Sequence, residues 1–110
     1  MNRKPVIRRN RATQDIDDAV GFYLKQDAEA AALTFIADLE RATGFLAENP
    51  AIGSPRYGQE LNLPGLRSWP LASHPYLIFY VDRPDYVDVW RMLHMHRDVP
   101  TTMLEHAAPA

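Results

Sequence analysis

The chain changes its grammar at Asn49-Pro50, and that change limits what it can fold into. Ahead of it, apolar residues recur at helical spacing and form one buried stripe per element. Beyond it, apolar runs alternate with glycines and prolines, as strands and turns require. A short strand, two helices and then three strands predict an α+β domain. Its helical hairpin should pack on one face of a mostly antiparallel sheet.

Val6-Ile7-Arg8-Arg9 reads as the first strand, entered from Pro5. Thr13 or Asp15 is positioned to cap the first helix, and Asp17 and Asp18 suit its positive N-terminal end. Ile16, Ala19, Val20, Tyr23 and Leu24 form its stripe, and Lys25-Gln26-Asp27 breaks it, with Asp27 capping the next. In the second helix Ala28, Ala32, Phe35, Ile36, Leu39, Thr43 and Leu46 form the stripe, while Glu29, Asp38, Glu40 and Arg41 point elsewhere. Pro50 stops it by disfavouring the helical conformation of Asn49. Gly53, Pro55, Gly58, Pro64 and Gly65 then punctuate a long loop. Leu66–Leu71 reads as an edge strand because of Pro70, Tyr76–Val81 as a central strand, and Tyr86–Leu93 as its partner across the turn at Asp82-Arg83-Pro84-Asp85.

The length of 110 residues leaves room for one domain, with a core over about residues 5–99 and a tail at 100–110. No apolar run approaches the roughly 20 residues that span a bilayer, and the basic start has no apolar segment behind it, so a cytoplasmic protein is expected. With no cysteine there is neither a disulfide framework nor a thiolate metal site. Residues 1–11 carry five basic groups and no acid, whereas residues 12–50 carry eight acids against Lys25 and Arg41. The net charge of −2 argues against nucleic-acid binding by the chain alone. The basic start is read as a charge-protected strand edge. No glycine-rich phosphate loop or nucleophile elbow is present, so no cofactor is expected.

An ordered set of short motifs resembles the RelE/ParE superfamily of bacterial type II toxins. The set is Ala12-x-x-Asp15-Ile16, Phe22-Tyr23-Leu24, Ala31-x-x-x-Phe35-Ile36-x-x-Leu39, Leu46-x-x-Asn49-Pro50-x-Ile52-Gly53, Leu66-Arg67-Ser68, Tyr76–Tyr80 and Leu93-His94-x-x-Arg97-Asp98. The ending looks like the ParE branch. That resemblance implies a RelE/ParE-like fold and a toxin that poisons DNA gyrase by binding, with no catalytic residues of its own. It also implies a ParD-like antitoxin partner whose disordered C-terminal half folds on the toxin. The RelE branch implies the alternative, a ribosome-dependent mRNA endonuclease, which here would use Arg67, His94, His96 and Arg97. The chain departs from that branch at Pro75-Tyr76, where an arginine is common, and has no tyrosine after Arg97.

Arg67, His94, His96, Arg97 and Asp98 are the candidate target-binding residues. Guanidinium forks suit phosphates and carboxylates, and Arg67 and Arg97 would meet if their strands end on the same side. His94 and His96 share a strand face if the strand runs that far, but two histidines and Asp98 are a thin ligand set, and no metal is expected. Trp69 on the edge strand and Tyr23, Phe35 and Leu39 on the helices are the candidate antitoxin contacts. The stripe that includes Phe35 and Leu39 reads equally as core. Arg91 and Trp90 read as structural.

Overall fold

The computed structural model describes residues 3–95. Its elements run β1 (Val6–Arg8), α1 (Asn10–Lys25), α2 (Glu29–Glu48), α3 (Arg56–Glu60), β2 (Leu66–Pro70), β3 (Tyr76–Asp82) and β4 (Val87–His94). The sheet order is β1-β4-β3-β2. β2, β3 and β4 form the antiparallel meander, and β1 joins parallel to β4, so the sheet is mixed. β3 is central and β2 lies at an edge, as expected.

Helices α1 and α2 cover one face of the sheet. Phe35, Leu39 and Leu46 meet Ile78, Tyr80, Val89 and Met92 in this main core. Burying a side chain such as Phe35 contributes about 1.5–3 kcal/mol. The opposite face is not bare. Leu66, Phe79, Val81 and Leu93 are buried there, with Tyr57, Leu61 and Leu63 of the α3 region packed against them. The loop expected after Pro50 therefore contains a helix and closes a second small core. Gly58 makes that closure possible, because a Cβ there would lie 2.5 Å from the Leu66 carbonyl oxygen.

Three local expectations are overturned. Neither Thr13 nor Asp15 caps α1, which starts at Asn10 with Arg9 in the capping position and no side-chain cap. Asp27 does not cap α2 either. It takes a left-handed conformation at φ 53°, and Ala28 occupies the cap. Asp38, expected on the outer surface of α2, is buried in the main fold.

Asp15 has a different task. β1 pairs with β4 only from Val87 to Val89, so β4 runs on without a neighbouring strand on that side. Asp15 fills the gap. Its carboxylate accepts hydrogen bonds from Arg91 Nε at 2.7 Å, Arg91 Nη2 at 2.8 Å and the Met92 backbone N–H at 3.0 Å. Both side chains of this ion pair are less than 10% exposed, at 4% and 8%.

Tyr80 anchors the chain after α2. Its hydroxyl donates to the Pro50 carbonyl at 2.8 Å and accepts from the Gly53 N–H at 2.9 Å. A Cβ on Gly53 would stand 2.5 Å from that hydroxyl oxygen, which is the physical reason for glycine here. Burial raises the Tyr80 pKa above its ordinary value, although the Gly53 bond and the Arg67 charge oppose this.

Candidate functional site

The end of β4 forms one wall of a cleft of about 460 Å³. Met92 and His94 line it from β4, Pro75 and Tyr76 from the start of β3, and Asp15, Asp18, Ala19, Phe22 and Tyr23 from α1. Alternation along β4 places Met92 and His94 on one face, and the register pairs His94 with Tyr76. The two rings meet edge-on, with centroids 5.2 Å apart. Tyr76 meets Phe35 at 5.3 Å, Phe35 meets His74 at 5.6 Å, and Tyr23 contacts both Phe35 and His74. An exposed ring, Phe22, extends this chain at 5.7 Å from Tyr23. The cleft is thus an aromatic surface with an acidic rim at Asp18.

His74 and Asp38 support it from beneath. Asp38 accepts from the backbone N–H of Ala72 at 3.2 Å and of Ser73 at 2.8 Å, and His74 Nδ1 lies 2.7 Å from Asp38 Oδ2. Burial alone would raise the Asp38 pKa. The bonds from His74, Ser73 and Ala72 outweigh it and hold the carboxyl below its ordinary value. This clamp ties the β2–β3 turn to α2 and so fixes Pro75 and Tyr76 against His94. Spacing in the sequence carries no signal of it, because its partners lie 34–36 residues apart.

Arg67 is not part of the cleft. It pairs with Tyr80, whereas His94 pairs with Tyr76, at the other end of β3. Four rungs and two strand spacings separate their backbones by about 16 Å. β2 and β4 do end on the same side, but Arg67 stands at the start of its strand. It is half-buried and donates from Nη1 to the Gly53 carbonyl at 2.8 Å, not to Glu60, which pairs with Arg56. Arg97, His96 and Asp98 lie outside the described residues. Among the described residues, no three His, Cys, Asp or Glu side chains converge as a metal site would need.

The candidate antitoxin contacts separate. Tyr23 lines the cleft, and Trp69 is half-buried, its ring stacked on Phe45 of α2 with centroids 5.3 Å apart. Phe35 is fully buried, so its side chain belongs to the core. Leu39 is 6% exposed at the floor of a larger groove of about 820 Å³ between β1, α1 and α2. That groove has apolar walls at Val6, Ile16, Val20, Leu24 and Ile36, and Arg3, Arg8, Asp17 and Glu40 also line it. Exposed Leu24 was not among the expected contacts, although its place at the end of the α1 stripe marks it.

A charged cluster lies on the other face of the sheet. Asp88 is buried and accepts from Arg9 Nε and Nη2 at 3.1 and 3.0 Å. It also accepts from Arg83 Nε and Nη2 at 3.1 and 3.0 Å, and from the Trp90 indole N–H at 3.1 Å. Burial would raise its pKa, but the bonds from Arg9, Trp90 and Arg83 hold it below the ordinary value.

No helix among the described residues is long and apolar enough to cross a membrane. No curated protein matches the sequence significantly. A solved structure described as the chromosomal ParDE TA system from P. aeruginosa shares the fold, with a TM-score of 0.71 at 17% identity over 87% of this chain and 100% of that one. The family described as the ParE toxin of the type II toxin-antitoxin system, parDE, matches residues 6–99. With nearly the whole fold inside that match, the chain belongs to the ParE toxin family.

Proposed function

We propose that the protein arrests growth by binding DNA gyrase and is neutralised by a ParD-like antitoxin, with no bond-breaking chemistry of its own. The observation that carries this reading is how the basic side chains in and beside the sheet are held. Arg91 is buried against Asp15, Arg67 bonds the Gly53 carbonyl, Arg9 and Arg83 share Asp88, and His74 is held by Asp38. An RNA-cleaving site needs such groups gathered around one scissile phosphate. Among the described residues they are distributed over both faces and both ends of the sheet, which favours a binding toxin over a RelE-type endonuclease.

The groove floored by Leu39 is the natural seat for an apolar helix of the antitoxin. An extended antitoxin segment fits beside β1 rather than β2. The outer edge of β2 is occupied, since Ser68 exchanges backbone bonds with Ser54 at 2.9 Å each way and Pro70 has no N–H. The target-contact proposal retains His94 with its continuation His96, Arg97 and Asp98, and Arg67 as a separate point.

The test is a gyrase supercoiling and cleavage assay with purified toxin released from its antitoxin and refolded. Loss of supercoiling with protein-linked linear plasmid is the expected outcome. Unaffected gyrase beside codon-biased cleavage of ribosome-bound mRNA would overturn the reading in favour of an endonuclease.

A further inference from the structure

We propose that Gly21 and Gly44 set the fit of the antitoxin helix: each leaves a hole that a bulky apolar side chain of that helix fills. This fit rests on the antitoxin reading above, with the helix seated in the groove floored by Leu39. Both glycines line that groove, Gly21 from α1 and Gly44 from α2. Each lies within its helix rather than at a cap. There a glycine is less favourable than alanine, because it has more backbone freedom to lose on folding.

The fold itself requires neither of them. At Gly53 and Gly58 an added Cβ would stand 2.5 Å from another atom, so those positions need glycine. At Gly21 it would meet nothing within 4 Å. At Gly44 it would meet only Arg3 Nη2 at 3.6 Å, an ordinary contact with the end of a flexible side chain. Neither residue takes the left-handed conformation that favours glycine; among the described glycines only Gly65 does. Alanine therefore suits both sites and would strengthen both helices. What the two glycines provide is room on the groove side.

That room has the form of a socket. On a helix, residues three and four apart are neighbours. Gly21 is surrounded in this way by Asp17, Val20 and Leu24, and all three line the groove. Gly44 has Glu40 and Thr43 before it and Arg3 beside it, again all lining. Each glycine is thus the one missing side chain among several present ones, the kind of hole that a knob from a packed helix enters. Charge does not decide the fit, since Arg3 and Arg8 balance Asp17 and Glu40 along the groove. Shape does, and the apolar walls call for an apolar knob.

Calorimetric titration of refolded toxin with its ParD-like antitoxin tests this. Gly21→Ala and Gly44→Ala should each raise the thermal midpoint of the free toxin by about 2–4 °C. The same variants should bind the antitoxin about 10-fold more weakly, because a methyl group overfills an occupied hole. Gly21→Leu, as favourable to a helix as alanine, should bind more weakly still. One bulky apolar position of the antitoxin helix, cut to alanine, should weaken binding to wild-type toxin but not to Gly21→Leu. Leu24→Ala trims an exposed groove wall, should also weaken binding, and reports on the seat alone. Unchanged affinity of the glycine variants beside a weakened Leu24→Ala would overturn the proposal and leave the antitoxin seat standing. Unchanged affinity of all of them, or no binding by wild-type toxin, would overturn both. A lowered thermal midpoint in the alanine variants would return the glycines to the fold and likewise overturn the proposal.

Discussion

Asp15→Ala is the substitution that should separate a buried structural ion pair from an ornamental one. The carboxylate receives both Arg91 contacts and the Met92 N–H, with side-chain exposures of 8% and 4% for Asp15 and Arg91. Removing Asp15 takes both of these contacts from a buried guanidinium and the carboxylate acceptor from the Met92 N–H. Breaking a buried pair in this way costs about 3–5 kcal/mol, a large share of the 5–15 kcal/mol that holds a domain together. At about 4 °C per kcal/mol, the thermal midpoint should fall by roughly 12–20 °C. Urea denaturation followed by circular dichroism would give the free energy directly. The double change Asp15→Leu with Arg91→Met should recover most of the loss, because apolar residues remove the stranded charge. About 1–3 kcal/mol should remain missing for the Met92 N–H. A single-variant cost below about 1 kcal/mol, typical of exposed pairs, would refute this account of how α1 seals β4.

Tyr80→Phe removes the bonds to Pro50 and Gly53 without changing the ring, and should destabilise by about 1–3 kcal/mol in the same urea assay. Gly53→Ala should cost at least as much, since its methyl would need the space of the Tyr80 hydroxyl. Equal stability of either variant and wild type would remove Tyr80 as the anchor. Asp38 has a folded-state pKa below its ordinary 3.8, so the unfolded chain takes up this proton first as pH falls. Its stabilisation is complete above the ordinary value and disappears as pH drops through the folded one. The stability gap between wild type and Asp38→Asn should therefore shrink below about pH 3.8, and a gap that stays constant would contradict the clamp.

The parts of this fold that were legible in the sequence are those governed by near neighbours. The Phe35–Leu46 stripe, the stop at Pro50, the apolar run of β3 and the edge position of β2 all follow from local spacing and backbone chemistry. Asp15 and Asp38 were misread for one shared reason. An aspartate near a helix start or on a helix surface has a cheap local role, and nothing nearby reveals a stronger distant one. Arg91 and His74 outbid those roles from 76 and 36 residues away. α3 was missed because Gly58 in its middle speaks against a helix, although the same glycine is what lets it lie on Leu66. The cleft was half legible, since His94 and Tyr23 were candidate contacts, but nothing local showed that α1 and the end of β4 would wall the same cleft.

The parallel pairing of Val6 with Val87 has a consequence for synthesis. These residues are 81 positions apart, the difference of 87 and 6. β1 leaves the ribosome well before β4 and has no strand partner in the sheet until β4 follows. Loop closure over that distance is slow compared with forming the α1–α2 hairpin or the β2–β4 meander, whose contacts are local. The nascent chain thus carries an unpaired strand while everything between β1 and β4 is made, and its sheet closes only once β4 has emerged.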